Sequence, residues 1–404
     1  MAFKALEGVR VLEYCGTSTG PYCTKLMADL GAEVIHVEPP KTGDDARRSP
    51  PFAGDVPHPE KSGLFLFLNT NKLGITLNPR LPEGKKIFEQ LVGKVDVLVE
   101  VWPPGHTEEL GLGYDDLKKL HPGLIVASIT PFGRSGPYKD YRAYPLNIAH
   151  VSGQGYVLPM PSPHLERAPT MIGGNCTEYD PGNTAAVAIL AALYSRGITG
   201  KGQLVELSKQ EAVLSMQRVE AVIVANGGDE STREGWKTEK LVTVMFSCKD
   251  GHVVMVTPLE HQWEALMKLV GNTEWFEKKP SAGSRVRAEN PDAMIELIGS
   301  WMKKHTREEI CSGAQALSCP IAPINSPEDV VHSEQMAARG IFVEMEHPAA
   351  GRMKIPSAPY QFSKTPWALE RAAPLLGEHN ESIYCERLGY DRNELRELED
   401  AGVI

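Results

Sequence analysis

Residues 8–40 alternate strand, helix and strand, and this one unit constrains the fold more than any other part of the chain. Val9, Val11 and Leu12 mark an apolar strand, and the loop Cys15-Gly16-Thr17-Ser18-Thr19-Gly20 follows it. Pro21 opens a helix to Leu30, Gly31 stops it, and a second strand over 33–37 ends at Glu38. Two strands joined through a helix lie parallel, and a parallel sheet needs helices covering it. The unit invites a dinucleotide reading with Glu38 as the acid for a ribose. The glycines do not follow G-x-G-x-x-G, however, so an NAD-dependent oxidoreductase is a remote alternative.

The pattern repeats downstream. The spacing predicts strands over 64–68 and 75–77, a helix over 82–93, and a buried strand over 95–101 that stops at Trp102-Pro103-Pro104-Gly105. A further apolar strand over 124–130 runs into the glycine-punctuated loop Pro131-Phe132-Gly133-Arg134-Ser135-Gly136-Pro137-Tyr138. Open α/β sheets bind ligands at such carboxyl ends. The polar stretch 41–63, with Asp44, Asp45, Arg47 and Arg48, reads as a solvated loop or as a flap whose arginines meet phosphates.

Residues 173–207 hold the candidate chemistry. Glu178 and Asp180 precede Pro181 and Gly182. Asp180 followed by Pro181 predicts a helix start, with Glu178 just outside it where the partial positive charge favours an anion. Ala186, Ile189, Leu190, Leu193 and Tyr194 recur at the spacing of one buried helix face. A Gly-rich turn over 199–203 then leads to a strand over 204–207. A long helix over 209–225 follows, then a polar linker to Lys240. Beyond it, a hairpin (242–247 and 252–256), helices over 260–270 and 291–304, and a Pro-rich return at 319–323 describe a small domain. Short strands over 341–344 and 352–355 and a helix over 392–401 close the chain.

Composition excludes several classes. With 404 residues, 42% hydrophobic and 23% charged, the chain holds a sizeable core and length for two or three domains. A net charge of −10 argues against nucleic acid as a partner. No apolar run of eighteen residues is present, and the N-terminus has no signal-peptide pattern, so neither a membrane partner nor secretion is expected. The seven cysteines are scattered without C-x-x-C, which points to no metal and a reducing, cytoplasmic location.

Several motifs together resemble one family, the class III CoA-transferases of the CaiB/BaiF type. They are GVRVLEY…GPYCTKLMADLGAEVIHVEPP, GDDARR, NTNKLGITL, GLGYDDL, SITPFGRSGPY, AILAALYSRGITGKGQLVEL and APLLGEHNESI, spread from Leu6 to Ile404. The resemblance implies an α/β fold in which a Rossmann-like large domain with a parallel sheet is built from residues 1–227 and 329–404. A small α+β domain would be inserted at 228–328, and two chains would be interlocked as a dimer. It implies coenzyme A as substrate, carried as acyl-CoA such as succinyl-CoA, with an organic carboxylic acid as acceptor. The family's nucleophilic aspartate falls on Glu178, one methylene longer. Arg47, Arg48, Lys72 and Trp102 are then the residues expected at CoA, and Tyr144, Gly133 and Gly136 those expected at the acyl group.

The match also departs from the family at the positions that touch CoA. Val101 stands where relatives carry a polar residue, Glu109 stands at an arginine, and Leu73 replaces another arginine. These losses raise the alternative of a partner subunit, paired with a related CoA-transferase chain that carries the nucleophile, in a heterodimer or heterotetramer instead of a homodimer. A 2-methylacyl-CoA racemase is disfavoured, because its second base would fall on Tyr144, a poor base at neutral pH.

Overall fold

The computed structural model describes residues 3–16, 18–160, 162, 164–216, 218–234, 243–271 and 291–404. Thr17 of the first loop, 235–240 of the expected linker and Val242 of the expected hairpin lie outside the described residues.

Six strands form a parallel sheet: β1 (Arg10–Tyr14), β2 (Glu33–Glu38), β3 (Leu73–Thr76), β4 (Val97–Glu100), β5 (Ile125–Thr130) and β6 (Leu204–Ser208), in the order β3-β2-β1-β4-β5-β6. The helices are α1 (Thr19–Ala28), α2 (Gly63–Leu68), α3 (Pro82–Val92), α4 (His106–Glu109), α5 (Tyr114–Leu120), α6 (Pro145–Val151), α7 (Cys176–Thr199), α8 (Lys209–Ser215) and α9 (Arg218–Ala225). Alternation along the strands divides the core between two layers. Leu12, Ile35 and Leu98 join Ile87, Phe88 and Leu91 of α3 on one face. Their neighbours Val11, Val34 and Val97 join Cys23 and Met27 of α1 and Ala185 and Ile189 of α7 on the other. Apolar residues on both faces are what a sheet with two helical layers demands. The strand order reverses between β1 and β4, so their carboxyl ends diverge into a crevice.

The tail of the chain seals the β3 edge. His379 Nδ1 and Asn380 Oδ1 accept from the Gly74 and Thr76 amides, and the Tyr384 hydroxyl donates to the Thr76 carbonyl at 2.6 Å. An otherwise open strand edge is thereby paired.

The chain divides into two compact units, one of residues 1–158, 169–229 and 337–404, the other of 159–168 and 230–336. The second has an antiparallel sheet, β7 (Thr243–Cys248), β8 (Gly251–Val256) and β9 (Ile321–Pro323), with a core that includes Phe246, Val253, Trp263, Leu266 and Met302. The Pro-rich return thus supplies a short strand. The tail's hairpin is β10 (Phe342–His347) with β11 (Gly351–Pro356).

Local differences from the sequence reading have physical causes. Residues 64–68 lie in helix α2, because the Ser62 hydroxyl caps it by accepting from the Phe65 amide; an unbroken apolar run carries no period to reveal this. Helix α7 begins at Cys176 after the left-handed Asn175, so Glu178 lies in its first turn and Asp180 and Pro181 lie inside it. The buried face of α7 is Ala185, Ala186, Ile189 and Ala192, whereas Tyr194 is 76% exposed and Leu190 is also exposed. Small residues let α7 lie close on α1, and Gly182 shows how closely: a Cβ there would sit 2.9 Å from the Thr19 carbonyl and 3.0 Å from the Tyr22 ring. The stretch 209–225 is two helices, α8 and α9.

Candidate active site

Three elements converge on Glu178 at the carboxyl edge of the sheet. Helix α7 presents it from its first turn, where helix polarity favours a carboxylate. Helix α1, which follows β1, delivers Thr19 as its first residue, and the Thr19 hydroxyl donates to Glu178 Oε2 at 2.5 Å. The end of β6 delivers Lys209, the first residue of α8 after the Ser208 cap. Its ammonium reaches both Glu178 oxygens, at 3.0 Å (Oε1) and 2.9 Å (Oε2). Glu178 is 5% exposed, so its negative charge is held by this cation and the hydroxyl together. Oε2 takes two hydrogen bonds and Oε1 takes one, which leaves Oε1 with lone-pair capacity unspent. Next to it, the buried Thr177 hydroxyl has no partner among the described residues.

Lys72 and Arg47, expected at CoA, are fully buried and engaged within the protein. The Lys72 ammonium donates to Glu13 Oε2 at 2.8 Å, to the Pro21 carbonyl at 2.9 Å and to Asn69 Oδ1 at 2.9 Å, which uses all three of its protons. Burial pushes the Glu13 carboxyl up, but Lys72 and His36 pull it further down, to about 2. Arg47 grips Glu38 through two bonds of 2.6 and 2.7 Å and meets Glu60 at 2.5 Å. Glu38, the acid a ribose would require, is spent on that pair and on the Asp44 amide. These cations therefore tie the 41–63 segment and the strand ends together from buried positions, with all three Lys72 protons and most of the Arg47 donors engaged within the protein. Arg48 differs: it is half exposed, bonded to the Thr42 carbonyl and to Asp45.

Trp102 lies where a nucleotide could reach it. It lines a cavity of about 440 Å³ with Tyr14, Pro39, Pro40, Lys41, Asn78, Arg80 and His106, at the carboxyl ends of β1 to β4. Its ring packs between Tyr14 (5.1 Å) and His106 (4.8 Å), and the buried Trp102 Nε1 and His106 Nε2 have no hydrogen-bond partner among the described residues. Burial, with Arg80 close by, holds the His106 imidazole below its ordinary value, so it is a neutral group at pH 7. Val101, the residue before Trp102, lies against Gly20, the chain neighbour of Thr19.

The 131–138 loop is stapled to the sheet. The Arg134 amide donates to Glu206, and its guanidinium donates to Ser128 at 3.0 Å and meets Glu100 and Glu108. Gly133, at φ +89°, passes close to Glu206, whereas Gly136, at φ +86°, faces open space. Tyr144 precedes α6 and is 77% exposed. Sequence reasoning did not single out Lys209, Thr19, Arg80 or His106 as site residues. The signal for Lys209 was its position one residue past an apolar strand, where open sheets place ligands.

A doubly wound sheet with a buried carboxylate and a cavity both at the carboxyl ends of its strands has the layout of an α/β enzyme scaffold. Residues 6–380 match CoA-transferase family III. The succinyl-CoA:glutarate CoA-transferase of Homo sapiens is 32% identical over 406 residues, which is 99% of this chain and 90% of that protein. The formyl-CoA:oxalate CoA-transferase of Streptomyces coelicolor is 33% identical over 427 residues, all of both chains. A CaiB/BaiF family protein from Brucella suis, solved by crystallography, superposes with a TM-score of 0.84 at 30% identity, over 95% of this chain and 99% of that one. The chain belongs to CoA-transferase family III, and it is a CoA-transferase.

Proposed function

We propose that this chain moves CoA from an acyl-CoA donor such as succinyl-CoA to an organic acid, with Glu178 as the nucleophile. The observation that carries the reading is the Glu178 carboxyl group itself: buried, paired with the Lys209 ammonium, and aimed from a helix N-terminus with one oxygen less encumbered. Glu178 Oε1 attacks the acyl carbonyl carbon, the C–S bond breaks, and a mixed anhydride and CoA thiolate result. The thiolate attacks Glu178 Cδ, releasing the donor acid as its carboxylate and leaving a glutamyl-CoA thioester. The acceptor carboxylate then displaces the thiolate, which attacks the acceptor's acyl carbon and regenerates Glu178. An acyl-oxygen adduct suits this sequence because it exchanges with both thiol and carboxylate.

The cavity at Trp102, with Lys41 and Arg80 at its wall, fits the nucleotide end of CoA: an aromatic face for the base and two cations for phosphates. Arg48 remains a candidate phosphate contact, and Tyr144, Gly133 and Gly136 remain candidates for the acyl side. The acids in the relatives' names, glutarate and oxalate, are the acceptors to try first. A dimer, homo- or hetero-oligomeric, accounts for the exposed apolar side chains Val187, Tyr194 and Ile198 along α7 and Val219, Val222 and Val224 along α9.

One observation favours the alternative of a partner subunit without its own chemistry: both Glu178 oxygens are already bonded and only 5% of the residue is exposed. Incubation of the purified chain with succinyl-CoA, then hydroxylamine, decides between them by mass spectrometry. A hydroxamate on Glu178 is expected. No adduct from the chain alone, with transfer appearing once a related subunit is added, assigns the nucleophile to that subunit.

A further inference from the structure

We infer that Lys209 is a catalytic residue of this transferase, its ammonium passing from the Glu178 carboxylate to the CoA thiolate and the departing acid as the negative charge moves. The inference rests on Glu178 being the nucleophile and deepens that reading.

The argument is one of charge accounting around a buried cation. Before reaction, Lys209 holds both oxygens of a carboxylate that is 5% exposed. When Glu178 becomes an anhydride, its charge is gone, and one new anion, the thiolate, stands within bonding distance of the same carbon. When the thiolate attacks Glu178 Cδ, the new anion is the released donor carboxylate. The second half of the cycle repeats this exchange in reverse: the thioester left by the departed acid carries no charge of its own, and the incoming acceptor carboxylate brings the next anion to the spot Lys209 occupies. No proton needs to move, and at each bond-making step the ammonium faces the anion that forms or reacts. A group that meets charge only as it develops acts on the barrier, and a fixed cation in a closed site is strong there.

Thr19 divides the two oxygens. Its hydroxyl adds a second bond to Oε2, so Oε1 is the oxygen left to attack, and Thr19 is a positioning residue. The ammonium comes from the N-terminus of α8, fixed by the Ser208 side chain accepting from the Glu211 amide, and not from a mobile loop. Lys209 itself is largely buried, with 12% of its side chain exposed. A cation placed there only for solubility would sit in water.

The experiment compares single-turnover formation of the hydroxylamine-trapped Glu178 adduct in wild type, Lys209→Met, Lys209→Gln, Lys209→Ala and Thr19→Val, each in its assembled oligomer. Lys209→Met and Lys209→Gln are expected to lose about a hundred- to a thousandfold in the acylation rate, with little change in KM for the acyl-CoA. Ethylammonium or propylammonium is expected to restore Lys209→Ala in a saturable way, which a packing role would not allow. Thr19→Val is expected to lose much less. Because Gln keeps a hydrogen-bond donor and nearly the same bulk, it remains informative if Met or Ala does not fold. A Gln variant as fast as wild type overturns the inference. Wild type that traps Glu178, with Lys209 variants that trap it equally fast, refutes the role of Lys209 alone. Wild type that yields no adduct in any assembly refutes the nucleophile reading and the inference with it.

Discussion

Replacing Lys72 by Met tests whether this cation serves the fold or CoA. In the structure its ammonium is enclosed and bonded to Glu13, Pro21 and Asn69, and among the described residues Glu13 has His36 (2.9 Å) and Thr24 (2.5 Å) besides. Burial raises the Glu13 carboxyl, yet Lys72 and His36 bring it from 4.5 to about 2. A net fall of that size corresponds to about 3 kcal/mol, left after the two cations have offset the cost of burial. Removing Lys72 also strands a buried carboxylate, so the expected loss is about 3–5 kcal/mol at pH 7. The sign follows from linkage. A carboxyl depressed in the folded state stabilises above its unfolded value, here about 4.5, and that stability disappears as pH falls through about 2. In Lys72→Met the depression shrinks and the acid-induced loss moves to higher pH. Urea unfolding at pH 4, 5.5 and 7 reads both effects, and KM for the acyl-CoA is measured on the folded protein. A stability loss below about 1 kcal/mol with a clearly raised KM would return Lys72 to the CoA site and refute the buried-pair argument.

Gly182→Ala gains about 1 kcal/mol of helix propensity but drives a methyl into the Thr19 carbonyl and Tyr22 ring, a cost of about 1–3 kcal/mol. Because Thr19 holds Glu178, kcat should fall further than the urea midpoint; an unchanged kcat would mean the α1–α7 contact does not set the site. Trp102→Ala and Arg80→Ala should raise KM for acyl-CoA without lowering kcat, and the Arg80 effect should fade with salt; equal KM values would place the nucleotide elsewhere. Burial pushes the Asp44 carboxyl up from 3.8 to about 6, so ionising it penalises the fold above that pH, and the penalty lifts as pH falls towards 4. Asp44→Asn keeps the acceptor for the Ala46 amide and should be more stable than wild type by up to about 3 kcal/mol at pH 8, converging near pH 4. Parallel stability curves at all pH values would refute it.

The sheet was largely legible in the sequence because parallel strands buried on both faces read as short apolar runs bounded by glycine and helix signals. All six strands lie within about two residues of the predicted spans; the run 64–68 ahead of β3 is a helix and not the strand expected. That failure is informative. In 64–68 every residue is apolar or glycine-flanked, and the cap that selects the helix is one hydroxyl, Ser62. The exposed face of α7 failed for a related reason: periodicity finds apolar positions but not which stripe faces the sheet, and here the stripe of alanines won because only small side chains admit α1.

Of the candidate site, the sequence singled out Glu178 but not the groups that surround it. Glu178 announced itself by position, but its partners come from 31 and 159 residues away, joined by the sheet and not by any local pattern. Cations posed the harder problem, since a lysine in sequence does not say whether its charge is spent. Lys72 and Arg47 are consumed by Glu13 and Glu38, acids on adjacent parallel strands whose alternation turns them towards the same interior. Their pairing holds the carboxyl edge in shape, and what remains for a polyanion comes from the next residues outward, Lys41 after β2 and Arg80 after β3. A related division separates Lys209 from both groups. It is largely buried, yet its partner is a carboxylate at a helix start that the proposed chemistry neutralises, so its pairing is one that turnover would have to break and remake.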